Sequence, residues 1–192
     1  RLTAAFFKGV GQLPVDRSGG RASEAALRSG LKVLGRGELL GLYPEGTRSP
    51  DGRLYKGKTG VARMALEAGG PVIPVAMIDT DKAQPTGTKS PKLIRVGVKI
   101  GTPLDFSRYE GMEGDRFVLR SITDEIMYAL MELSGQEYVD MYATAMKDRI
   151  ARETLDRHTS AYPGSHEDLL PVGGIYAWRR DGEFHQWNPE TV

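Results

Sequence analysis

Apolar positions along the chain fall into short runs that switch between two periods. Val10–Val15 reads as a short strand ending at Asp16-Arg17. Ser23 is placed to cap a helix over Glu24–Leu34, with Leu27, Leu31 and Leu34 on one stripe and Gly35 as its stop. Leu39–Tyr43 reads as a buried strand, and Ser49-Pro50-Asp51-Gly52 as a turn. A helix over Thr59–Glu67 follows, closed by Gly69-Gly70-Pro71, and Val72–Ile78 is a continuously apolar strand. Asp79–Pro91 reads as a loop. Leu93–Ile100 alternates, with Ile94, Val96, Val98 and Ile100 on one face and Arg95, Gly97 and Lys99 on the other, which predicts a half-buried strand.

After a loop over Gly111–Asp115, a strongly amphipathic helix covers Arg116–Leu133, with Phe117, Ile122, Ile126, Leu130 and Leu133 at helical spacing. Its Met127 and Met131 read as core filling. A second helix covers Glu137–Leu155. The alternation of strands and helices argues an α/β layered fold. Beyond Leu155 the pattern breaks. Residues 158–192 are rich in Pro, Gly, His and charge, and read as an irregular appended tail.

Composition changes this picture little. Apolar residues make up 40% and charged residues 27%, ordinary for one globular domain. No run of eighteen apolar residues exists, so no segment has the pattern of a membrane-spanning helix; Ala4-Ala5-Phe6-Phe7 reads as a buried or interfacial piece. The absence of cysteine excludes disulfides and thiolate zinc sites. Charge is lopsided. Residues 1–100 hold 17 Lys and Arg against 8 Asp and Glu, and residues 101–192 hold 9 against 17. A basic first half suits an anionic substrate or membrane surface, although charge alone fits a scattered solvated surface better.

The candidate chemistry lies in Tyr43-Pro44-Glu45-Gly46-Thr47-Arg48-Ser49. Pro44 fixes φ and Gly46 has no Cβ, so the turn is conformationally specified. Arg48 can hold a phosphate through two parallel bonds, and Glu45 can accept from it or from nearby N–H groups. Alone, this would be a solvated turn with a local Glu–Arg pair. It stands, however, between Gly11-Gln12-Leu13-Pro14-Val15-Asp16-Arg17 and Val72-Ile73-Pro74-Val75.

These three blocks, in this order, resemble the glycerolipid acyltransferase family, most closely the 1-acyl-sn-glycerol-3-phosphate (lysophosphatidic acid) acyltransferases. The middle block is the specific one, and the resemblance extends roughly from Arg1 to Lys147. It implies a mixed, largely parallel central sheet flanked by helices, of the glycerol-3-phosphate acyltransferase kind. The implied activity is acyl transfer from coenzyme A or acyl carrier protein to the free hydroxyl of lysophosphatidic acid, giving phosphatidic acid. Neither a metal nor a bound organic cofactor is implied. Arg17 and Arg48 would grip the acceptor's phosphate, converging on one pocket. Glu45, Gly46 and Thr47 would shape the turn, and Lys56 and Lys58 would add positive charge. Val72–Val75 would pack behind the site or line the acyl path. The partners implied are lysophosphatidic acid, the acyl donor and an anionic membrane surface at the cytoplasmic face; nucleic acid is not among them. For Arg17, the alternative is a surface ion pair with Asp16 or Glu45.

The family's His and Asp, five residues apart and ahead of the first block, have no counterpart here. His158, His166 and His185 are followed at that spacing by Pro163, Pro171 and Glu190. The expectation is therefore a domain over 1–157 whose first portion, with the catalytic pair and any membrane anchor, precedes Arg1. This chain alone is then expected not to turn over. The histidines also lack metal-ligand spacing.

Two other readings stand beside this one. A binding-only homologue would capture lysolipid without acylating it. Separately, Gly52–Thr59 matches G-x-x-x-x-G-K-T, the phosphate loop of nucleotide-binding ATPases, and Val75–Asp79 imitates a strand ending in a magnesium ligand. Against the latter, Ser49–Gly52 separates the loop from any strand, and Leu54 and Tyr55 are bulky where backbone N–H groups should cradle phosphate.

Overall fold

The computed structural model describes residues 9, 11–13, 21–85, 88, 90–161, 170–172, 175–180 and 183–187. Arg17 and half of the strand expected over Val10–Val15 lie outside them; Gly11–Leu13 is turn and coil. The elements are α1 (Arg21–Leu34), β1 (Leu54–Tyr55), α2 (Gly60–Ala68), β2 (Val75–Ile78), α3 (Thr80–Ala83), β3 (Gly97–Ile100), α4 (Arg116–Ser134), β4 (Tyr138–Val139), α5 (Ala143–Ala161), β5 (Leu170–Val172), β6 (Ile175–Arg180) and β7 (Glu183–Trp187). The class is α/β, with β1 parallel to β4 in register Leu54 to Tyr138 and Tyr55 to Val139. Among the described residues the strands form three small sheets: β1-β4, β2-β3 and β5-β6-β7.

The chain divides into two compact units. One comprises residues 1–46, 56–76 and 99–135; the other comprises 47–55, 77–98 and 136–192. The first is helical. Val61, Ala62 and Leu66 of α2 meet Leu119, Ile122 and Ile126 of α4 over Phe106 in one buried cluster. The stripe on α4 runs 119, 122, 123, 126, 127, the i, i+3, i+4 spacing of a buried face. Phe117 falls off that stripe and is 82% exposed, contrary to the periodicity reading. Met127 is buried, as expected of core filling. Asp115 caps α4 by accepting from Phe117 N and Val118 N. Gly135 ends it in the left-handed region, as Gly69 ends α2. Helix α1 begins earlier than expected, so Ser23 lies inside it, and Arg63 of α2 joins it through Glu24. Val72 pairs with Leu104 in an isolated antiparallel bridge.

One expected strand is not formed among the described residues, and another is shortened. Leu39–Tyr43 has no regular structure and no ladder partner among the described residues, with Leu39 93% exposed. Only Gly97–Ile100 of the alternating segment is strand, and Ile94, Val96, Val98 and Ile100 are exposed. Alternation specifies which side chains share a face, but a strand also needs a ladder partner. The apolar run Val72–Ile78 is broken at Pro74, which has no N–H to give, and strand begins at Val75.

In the second unit, the N-terminal part of the expected Glu137–Leu155 helix is instead strand β4, and α5 starts at Ala143. A four-residue helix, α3, interrupts the expected loop over Asp79–Pro91. The segment read as an irregular tail carries an antiparallel meander. Its registers pair Val172 with Ile175 and Arg180 with Glu183, leaving Gly173-Gly174 and Asp181-Gly182 between the strands. Both dipeptides are hairpin signals. No helix among the described residues is long and apolar enough to cross a membrane.

Candidate functional site

The motif turn is fastened at both ends, in each unit separately. In the first unit, Gly46 N–H donates to Tyr43 O at 3.0 Å, closing a turn with Pro44 at its second position. Gly46 sits at φ 73°, where a side chain would be strained. A Cβ there would also stand 3.3 Å from the Cδ and Cε of Lys58, whose stem crosses the turn. Lys58 N–H donates to Pro44 O at 2.8 Å. Lys58 is exposed, and its ammonium pairs with no carboxylate among the described residues. Glu45 and Lys56 are half-buried.

The segment bearing Lys56 and Lys58 is seated by the glycine between them. Gly57 is buried, and its carbonyl accepts from Arg120 Nη1 at 2.8 Å. A Cβ on Gly57 would lie 2.8 Å from Met127 Sδ and 3.0 Å from Thr123 Cγ2. Its place in the Gly-Lys-Thr string is thus a packing requirement against α4.

In the second unit, Thr47 Oγ1 accepts from Lys147 Nζ at 2.9 Å. Arg48 is exposed and makes no hydrogen bond or ion pair among the described residues. Arg53, five residues on, is spent differently. Asp51 Oδ2 receives Arg53 Nε at 2.8 Å and Tyr55 Oη at 2.9 Å, and Asp51 Oδ1 receives Arg53 N–H at 3.1 Å. Desolvation pushes the Asp51 carboxyl up, but these bonds outweigh it and hold it below its ordinary value of 3.8. Burial, then the bond to Asp51, pushes the Tyr55 phenol up. Because the folded value for Asp51 is depressed, its contribution to stability is present above pH 3.8 and is lost as pH falls through the folded value. Titrated by NMR, the Asp51 carboxyl has its midpoint below 3.8, and Arg53→Met moves that midpoint upward. A midpoint unmoved by the substitution would contradict the assignment.

The nucleotide-loop geometry is not formed. Leu54 N–H donates to Glu137 O at 2.9 Å, and Tyr55 is fully buried in β1, so this backbone does not curl around an anion. Asp79, the imitation magnesium ligand, is ion-paired with Lys82.

The residues expected to act together thus fall into two local sets, Glu45, Gly46, Lys56 and Lys58 in one unit and Thr47 and Arg48 in the other. Residues 1–78 match the family model described as Acyltransferase. Over that stretch, about two fifths of its length, the chain is similar to the acyltransferase family. The chain is 35% identical over 80 residues to "1-acyl-sn-glycerol-3-phosphate acyltransferase BAT2, chloroplastic" of Brassica napus, covering 42% of the chain and 23% of that protein. It is 28% identical over 136 residues to the 1-acyl-sn-glycerol-3-phosphate acyltransferase of Bacillus subtilis, covering 69% of the chain and 62% of the relative. The matches therefore span less than two thirds of the length of either relative. The crystal structure of the 1-acyl-sn-glycerophosphate acyltransferase PlsC from Thermotoga maritima aligns at a TM-score of 0.45 and 32% identity, over 56% of this chain and 44% of that one.

Lys147 was not legible as a site residue, since a single lysine on an amphipathic helix carries no spacing signal. Contact with Thr47, 100 residues away, singles it out.

Proposed function

We propose that this chain supplies the acceptor site of a lysophosphatidic acid acyltransferase. The observation that carries the reading is Arg48, exposed and without a hydrogen bond or ion pair among the described residues, in a string whose preceding turn is set by Pro44 and Gly46. A guanidinium left without a carboxylate is available for the paired oxygens of a phosphomonoester. Arg17 joins Arg48 on that phosphate in this proposal, and Lys56 and Lys58 raise the local positive potential. Glu45, Gly46 and Thr47 set the turn. The relatives' printed activities name the same acceptor.

In the reaction, the acceptor's free hydroxyl attacks the thioester carbonyl of acyl-CoA or acyl carrier protein. The new C–O ester bond forms, the C–S bond breaks, and the hydroxyl proton passes to the leaving thiolate by way of a general base. By family resemblance that base is a histidine oriented by an aspartate. We assign the acyltransferase domain to residues 1–157 and place it at the cytoplasmic face of an anionic membrane, where lysophosphatidic acid and phosphatidic acid reside.

Acyl transfer measured with the protein expressed from its complete reading frame tests the roles. Arg48→Gln raises the acceptor KM by about 10- to 100-fold, the loss of one charge-assisted phosphate bond. Arg17→Gln acts in the same direction. Undiminished transfer with an unchanged acceptor KM in both variants rejects the assignment.

A further inference from the structure

Lys147 lies in the first turns of α5, and its Nζ donates to Thr47 Oγ1 at 2.9 Å. Both side chains are half-buried. Two residues on, Arg149 is paired with Glu153. Lys147 pairs with no carboxylate among the described residues. An ammonium has three N–H donors, and only one is used on Thr47. A positive charge partly withdrawn from water, with donors unspent, is stabilised by an anion. The next residue after Thr47 is Arg48, also without a partner among the described residues. Thr47, Arg48 and Lys147 belong to the same compact unit, so their juxtaposition is internal to it.

We propose that Lys147 is a further binding residue for the phosphomonoester of the acceptor, completing a cluster with Thr47 and Arg48. Because the Thr47 oxygen accepts from Lys147, the hydroxyl hydrogen is free to donate to a phosphate oxygen, and both cations face the same charge. The inference deepens the lysophosphatidic acid reading and rests on it.

The 192-residue chain is titrated with phosphatidylcholine vesicles containing lysophosphatidic acid, and with vesicles of matched surface charge containing phosphatidylserine. Lys147→Met lowers the preference for lysophosphatidic acid by about tenfold, the loss of one charge-assisted bond. Lys147→Arg retains most of it, and Lys92→Met, which removes an exposed lysine of the same unit, leaves it unchanged. Thr47→Val, which keeps Lys147, also lowers the preference, so the test does not depend on one variant folding. If Arg48→Gln weakens the preference and Lys147→Met does not, Lys147 has no role and the acceptor-site reading survives. If Lys147→Met and Lys92→Met weaken both vesicle types alike, Lys147 acts only as bulk charge and the inference falls. If the unaltered chain does not prefer lysophosphatidic acid at matched charge, the acceptor-site reading falls and the role of Lys147 falls with it.

Discussion

Ile122→Ala lowers the unfolding free energy by about 2–5 kcal/mol, while Phe117→Ala changes it by less than about 0.5 kcal/mol. Both are large apolar residues on α4, five positions apart. Ile122 is fully enclosed within the cluster formed with Val61, Ala62, Leu66 and Phe106, so truncation leaves a cavity that its neighbours cannot close. Phe117 stands in solvent and loses little. Urea unfolding of the two variants measures the difference. Equal costs would mean that the helix presents a different face to the core. The effect reaches function through Gly57, which rests on the same helix one turn further along.

Gly57→Ala is the second large effect. Gly57 does not need a positive φ, so the cost is steric. The added methyl meets Met127 Sδ and the Cγ2 of Thr123, a β-branched side chain with little freedom to turn aside. Overpacking of this kind costs about 1–3 kcal/mol. It also lifts the Gly57 carbonyl from Arg120 and displaces Lys56 and Lys58 together. The expected result is a lower urea midpoint with weaker binding to lysophosphatidic acid vesicles. Met127→Ala in the same chain makes room and recovers part of both, giving a favourable coupling in a double-mutant cycle. A purely additive pair would show that the methyl does not meet Met127.

What the sequence made legible follows the physics of each element. Helices announce themselves through a local period and local punctuation. Ile122 and Ile126 on the buried stripe and the stops at Gly35 and Gly69 were readable because every interaction they need lies within a few residues. Strands are different. Leu39–Tyr43 and Leu93–Val96 have strand-like composition but no ladder partner among the described residues, whereas Tyr138-Val139 is too short to show a period and pairs with Leu54-Tyr55 in a distant part of the chain. Composition alone describes a surface, and pairing is decided elsewhere. The C-terminal meander could have been found from Gly173-Gly174 and Asp181-Gly182, whose signal was masked by surrounding Pro, His and charge.

The candidate site divides in the same way. Glu45–Arg48 is a contiguous string, so its turn was readable from Pro44 and Gly46. The seating of Lys58 over Gly46 and of Gly57 against Met127 was not, because the Gly-Lys-Thr spelling suggested phosphate where packing was the reason. The convergence expected of Arg17 with Arg48 concerns a residue outside those described.

The two-residue ladder of β1 with β4 closes a span of about 80 residues for very few bonds. Such closure repays its entropy only at the end, so contacts of high sequence separation form slowly and late. The α2–α4 cluster can condense without it. Thr47 and Lys147 meet across a similar span, and their contact is expected to form with this closure. An anion that binds only the assembled cluster would then tie this closure shut, adding stability in proportion to the logarithm of its concentration over its dissociation constant.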